Sequence, residues 1–170
     1  LTSSPSMVAL VQTSITLPIM LFSLIAGATA DSWDRRRLML SAQIFMMAVS
    51  VVLAMLTYLG FASPYMLLAF TFLIGCGNAF NAPAWQASVG DIVPKSLLPK
   101  AVALNSAAFN MARSAGPALG GAIVAVAGAA TAFLVNCATY PLLIAMLLRW
   151  QPKPDSSRLP PERMGSAMAS

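Results

Sequence analysis

Few side chains in this sequence can do chemistry, and their placement is unusual. Arg113 lies in an apolar stretch, and no other charge follows it until Arg149. A guanidinium stays charged and offers five donors in a planar fork, so at such a place it binds an anionic group or backbone carbonyls. Asn110 precedes it by three residues and Ser106 by seven, the spacing of a polar stripe on one helix face. A second group is Asp31 followed by Arg35, Arg36 and Arg37, an acid and bases near enough to pair. The sequence has no His, and Cys76 and Cys137 are far from any cluster of carboxylates, so no transition-metal site is expected. Both cysteines read as small packing residues rather than a disulfide. No Gly-rich loop followed by Lys is present to cradle a nucleotide phosphate, and no cofactor is implied. An enzyme would need a nucleophile, paired carboxylates or metal ligands set together, and none is apparent.

The elements that hold these residues follow from the solvent. Of 170 residues, 58% are hydrophobic and 9% charged, and the mean hydropathy is +0.77. Soluble domains carry about a quarter charged residues, so these few charges cannot cover a water-exposed surface. The charges are also segregated. None occurs from Leu1 to Ala30, from Leu38 to Gly90, or from Ser114 to Leu148. A membrane crossing takes about 20 apolar residues. Gly and Pro signals divide the runs into five predicted spans, 7–30, 38–59, 65–88, 101–126 and 132–148. The short link Gly128 to Thr131 joins the last two. Lipid leaves open backbone groups unsatisfied, so each span must be helical. The expected fold class is an all-α, polytopic transmembrane bundle in the lipid bilayer, with a flexible hydrophilic tail or linker at 151–170.

Orientation comes from the basic residues. Arg35, Arg36 and Arg37 fill the first loop, Lys95 and Lys100 the third, and Arg149, Lys153, Arg158 and Arg163 follow the last span. The second and fourth loops are uncharged. Alternation of this kind puts the basic loops and the tail in the cytoplasm. Trp33, Trp85 and Trp150 fall at those same ends, as interfacial anchors do. The net charge of +5 therefore reflects topology. A nucleic-acid partner is not expected, because no basic face with interleaved aromatics exists. A first residue of Leu, an odd number of spans and no charged signal-peptide head suggest a piece of a longer protein.

Two motifs carry a resemblance. Gly27, Asp31, Arg35 and Arg36 have the spacing of the loop between the second and third helices in the major facilitator superfamily. Ser32 and Asp34 depart from it, standing where that family often has Arg and usually has Gly; Asp tolerates left-handed turns better than most residues. In segment four, Arg113, Gly116, Pro117, Gly120 and Gly121 resemble that superfamily's fifth-helix antiporter motif, with Ala112 in place of an earlier Gly. Gly116 and Gly120 form a small-xxx-small face for close helix packing, and Pro117 bends the helix. The run through Asp91, Val93, Pro94, Ala101, Leu104 and Asn105 is similar to the branch containing enterobactin-exporter-like and secretion-effector permeases.

The resemblance covers about Met7 to Arg149, spans two to six of a twelve-helix fold. It implies that Asp31, Arg35 and Arg36 gate the cytoplasmic side, and that a missing first span and C-terminal half complete the protein. It also implies two bundles rocking about a central site. Arg113, about 16 Å into the membrane at 1.5 Å per residue, would then face the substrate route, because a charge at that depth needs a cavity or a partner. The alternative is a structural Arg bonded to carbonyls or reaching to the interface. Gln12, Thr16, Asn78, Asn81, Asn110 and Asn136 are the candidate cavity residues. The expected activity is secondary active transport: export of a small, drug- or siderophore-like molecule in exchange for protons, in a bacterial inner membrane. A non-transporting assembly or sensor protein, or an inactive fragment, is the competing reading.

Overall fold

The computed structural model describes residues 5–61 and 63–150. Every element in them is helical: α1 (Pro5–Ser32), α2 (Arg35–Tyr58), α3 (Pro64–Ile92), a single 3₁₀ turn (Lys95–Leu97) and α4 (Leu98–Arg149). The expected tail, 151–170, lies outside the described residues. The four α-helices are long and apolar enough to cross a membrane.

The helices start where the sequence supplies caps. Asp34 is the N-cap of α2, in an extended conformation (φ −62°), and its carboxylate accepts from the Arg37 N–H at 3.1 Å. The left-handed turn anticipated at this position is therefore not used; the side chain satisfies a free helix N–H instead. Because the cap is Asp34, α2 begins at Arg35, and the three arginines occupy its first turn. Ser63 caps α3 in the same way, accepting from Met66 N–H at 3.1 Å, with Pro64 at the first helical position.

The expected four-residue link between the last two spans is a single break. Gly128 has φ 83° and ψ 166° inside α4, a conformation open to Gly and strained for other residues. It divides α4 into a first limb, 98–127, and a second limb, 129–149. These are ~45 Å and ~32 Å long, each enough for a bilayer core of about 30 Å. The chain reverses there. Trp85 of α3 bonds Asn105 of the first limb near its start, whereas Arg36 and Ser50 of α2 meet Leu147 and Tyr140 of the second.

Cross-helix contacts give the packing order α1, α3, α2, second limb of α4. Gly75 and Gly77 of α3 explain its place between two neighbours. Two residues along a helix point to nearly opposite sides. A methyl at Gly75 would come within 2.8 Å of the Ile15 carbonyl oxygen and 3.0 Å of Pro18 Cγ, both on α1. A methyl at Gly77 would collide with Met46 of α2. Phe22 and Phe80, ring centroids 6.0 Å apart, extend the α1–α3 seam. Helix α2 is the most enclosed: Met39, Gln43, Met46, Ser50 and Leu53 are buried, at the three-to-four spacing of one broad face. At its basic end Leu38 and Met39 form a core with Ala84, flanked by Phe80, Leu147 and Trp150.

The first limb of α4 differs from the rest. From Val102 to Ala127 no residue is buried, and Leu104, Met111 and Val126 are 72%, 72% and 89% exposed. Gly116, Gly120 and Gly121 have no atom within 4 Å of where a methyl would sit. The close-packing face expected there has no neighbour among the described residues.

These contacts rank the glycines. Gly75→Ala meets the α1 backbone, and Gly77→Ala meets Met46 at its Cγ, close to the α2 backbone on a buried side chain, so each is accommodated only if helices part. Gly75→Ala and Gly77→Ala are each expected to lower stability by about 1–3 kcal/mol, with Gly116→Ala near neutral in this chain. Unfolding of the detergent-purified chain followed by circular dichroism checks the order.

Candidate functional site

Two groups of polar side chains stand out. The first is at the basic end, where the loop after α1 meets the ends of α3 and α4. Arg35 Nη1 lies 2.8 Å from Asp91 Oδ2 and donates to the Ala87 carbonyl at 3.2 Å. Arg36 donates from Nε to the Leu147 carbonyl at 2.8 Å and from Nη2 to the Leu148 carbonyl at 2.6 Å. The last carbonyls of a helix have no partner within it and carry the negative end of its dipole, so a guanidinium fork suits them doubly. Two adjacent arginines thus tie the start of α2 to the last turn of α3 and the last turn of α4.

Arg35 and Arg36, expected to gate, are therefore engaged within the chain in this structure, although the buried Arg35 Nε has no hydrogen-bond partner. Asp31 has its backbone in α1, but its side chain lies outside the described residues. Gly27 is half-buried, with open space where a methyl would be.

The second group is on the open first limb. Arg113 and Asn110 are exposed there, beside Gly116 and Pro117. Among the described residues the Arg113 guanidinium has no hydrogen bond or ion pair, and the Ser114 hydroxyl donates back to the Asn110 carbonyl at 2.9 Å. A charge in lipid without a partner is costly, by several kcal/mol at the bilayer centre. This limb therefore calls for a polar cavity or an acidic group against it.

The other candidate cavity residues do not converge. Gln12 and Thr16 are exposed on α1, and the Thr16 hydroxyl donates to the Gln12 carbonyl at 3.0 Å, a bond within the helix. Asn78 is half-buried on α3. Asn136 belongs to the seam between α2 and α4, where its Nδ2 donates to Ser50 Oγ at 3.3 Å and Ser50 in turn to the Tyr140 hydroxyl at 3.5 Å. Asn81 receives a long 3.4 Å bond from Gln43 Nε2. Sequence reasoning passed over Gln43 and Ser50, although a polar side chain within an apolar span was the signal. It also missed the pairing of Asp91, since a partner in space leaves no mark in sequence.

Comparison with known proteins identifies relatives of the chain. A family model described as transmembrane secretion effector matches residues 1–170. A staphyloferrin A transporter of Staphylococcus aureus (strain NCTC 8325 / PS 47) is 37% identical over 133 residues, covering 78% of this chain and 33% of that protein. An uncharacterized MFS-type transporter of Bacillus subtilis (strain 168), YfiS, is 24% identical over 151 residues, 89% of this chain and 35% of that protein. The chain thus spans about a third of the length of these relatives. No solved structure matches it.

The clasp yields a ranked expectation. Arg35 and Asp91 side chains are 25% and 34% exposed, so solvent screening holds their coupling to about 1 kcal/mol or less. Arg36 makes two charge-assisted bonds, and Arg36→Ala is expected to cost more, about 2 kcal/mol. Arg36→Lys restores little, because an ammonium cannot span both carbonyls as the fork does. A double-mutant cycle at 35 and 91, and the two Arg36 variants, measured by denaturant unfolding in detergent, test the ranking.

Proposed function

The chain belongs to the transmembrane secretion effector family of the major facilitator superfamily, and from that premise we propose that the whole protein is a secondary active transporter exporting a small organic molecule in exchange for protons. The family match along the full chain carries this reading. The relative whose name states staphyloferrin A transport supports a siderophore-like or other polar small-molecule cargo.

In this proposal the basic loops and the tail are cytoplasmic, in a bacterial inner membrane, by the positive-inside rule. Arg113 attracts the anionic groups of the cargo from the open limb. Gly116, Gly120 and Gly121 seat a helix of the remaining two thirds of the protein. Asp31, Arg35 and Arg36 form the cytoplasmic gate, and the Arg35–Asp91 pair is the part of it that opens and closes. Proton carriers belong to the rest of the protein, since Asp31 and Asp91 both lie at the basic edge. Among the described residues nothing forms an opposite wall against the first limb, so transport is expected of the whole protein and not of this segment.

The test uses the full-length protein in proteoliposomes with an imposed proton gradient, assaying uptake of a carboxylate-rich siderophore. Flux is expected to depend on the gradient and to fall at least tenfold in Arg113→Ala, with partial retention in Arg113→Lys. Normal flux in both variants removes Arg113 from the route, and flux that ignores the gradient removes proton coupling.

A further inference from the structure

Between α2, α3 and the second limb of α4 lies a cleft of about 210 Å³, at the basic end and away from the open first limb. Its walls are apolar, with Met39, Leu143, Met146 and the indoles of Trp85 and Trp150. Two amides, Gln43 and Asn81, also line it, with Ser88, whose hydroxyl already donates to the Ala84 carbonyl at 2.7 Å. Gln43 is 7% exposed, its Oε1 has no hydrogen-bond partner, and its Nε2 has only the 3.4 Å bond to Asn81. A buried amide left this poorly bonded is costly, and the long bond to Asn81 relieves only one end of it. The terminal torsion of Gln is broad, so a small rotation turns either end of the amide to whatever fills the cleft.

We propose that this cleft binds a small uncharged molecule with an apolar body and one hydroxyl or amide group, the polar group meeting the Gln43–Asn81 amides. Three observations select that chemistry. The Gln43 oxygen needs a donor and its NH₂ needs a better acceptor, and a hydroxyl or amide supplies both. The Arg36 guanidinium is bonded to the carbonyl of the lining residue Leu147, which disfavours a cation, and the largely apolar walls leave a charge of either sign poorly solvated. The volume is far below that of a helix, whose diameter is about 10 Å with side chains, and suits one short chain or ring. The site goes beyond the transport reading, because binding here does not require Arg113 or a proton gradient.

The test is tryptophan quenching of the full-length protein in lipid nanodiscs, with 8-bromo-1-octanol and 1-bromooctane as probes at equal membrane mole fraction. The alcohol is expected to give a saturable component that disappears in the Trp85→Phe, Trp150→Phe double variant. The bromoalkane is expected to give none, or one at least fivefold weaker. In Gln43→Met the alcohol should weaken about fivefold, the value of one hydrogen bond of about 1 kcal/mol. Equal saturable quenching by both probes overturns the proposal. So does the absence of any saturable component, the outcome if a helix from the rest of the protein closes the cleft. Should Gln43→Met fail to fold, the comparison of the two probes on the unsubstituted protein decides alone.

Discussion

Two guanidinium groups at one helix start hold the arrangement together. In lipid, helices gain little from hiding apolar surface, because the solvent is as apolar as the side chains. Order must come from close packing and from polar groups that have few alternatives. Arg35 and Arg36 sit at the boundary where both conditions meet. Their donors reach the Ala87 carbonyl, the Asp91 carboxylate and the last carbonyls of α4. Those carbonyls would otherwise face the membrane edge with no intrahelical donor. The register of α2 against the second limb is therefore set mainly by Arg36, while the part-exposed Arg35–Asp91 pair is a weaker tie to α3.

From that anchor the close packing propagates inward. Gly75 and Gly77 admit α1 and α2 to opposite sides of α3, and Pro18 fills the space that Gly75 leaves. Farther from the clasp, Ser50, Asn136 and Tyr140 link α2 to α4 through hydroxyl and amide bonds. Their lengths, 3.5 and 3.3 Å, make them weaker than the arginine contacts. The exposed apolar side chains, such as Leu24 at 87% and Met20 at 77%, would be a liability in water and are ordinary against acyl chains.

The membrane-spanning architecture was legible in the sequence because it depends on composition over long windows. Uncharged runs announced long apolar helices, and the basic residues mark one end of the bundle. The helix starts were less legible. Asp34 was read for its tolerance of left-handed turns, yet it caps α2, because a free N–H nearby is the stronger demand. The candidate site was legible only in part. Arg113 was identifiable as a charge without a local partner, and it has none among the described residues. The dispersal of Gln12, Asn78 and Asn136 was not foreseeable. Sequence says that a polar group avoids lipid, but only packing says which neighbour receives it. The acceptors of Arg36 are backbone carbonyls, which every residue possesses and no sequence pattern marks.

The reversal at Gly128 bears on biogenesis. If the basic ends stay on the cytoplasmic side, as proposed above, the part of the two limbs of α4 that must travel farthest is the tip around Val126 to Thr131, which contains no ionisable group. No ion has to be dehydrated to bring the tip across. The one costly passenger is Arg113, worth about 3 kcal/mol against insertion at mid-depth, and the apolar residues of both limbs outweigh it. The limbs can thus partition as a preformed helical hairpin, each with its own backbone satisfied. Only one non-helical residue is then left at the far surface, where water is again at hand.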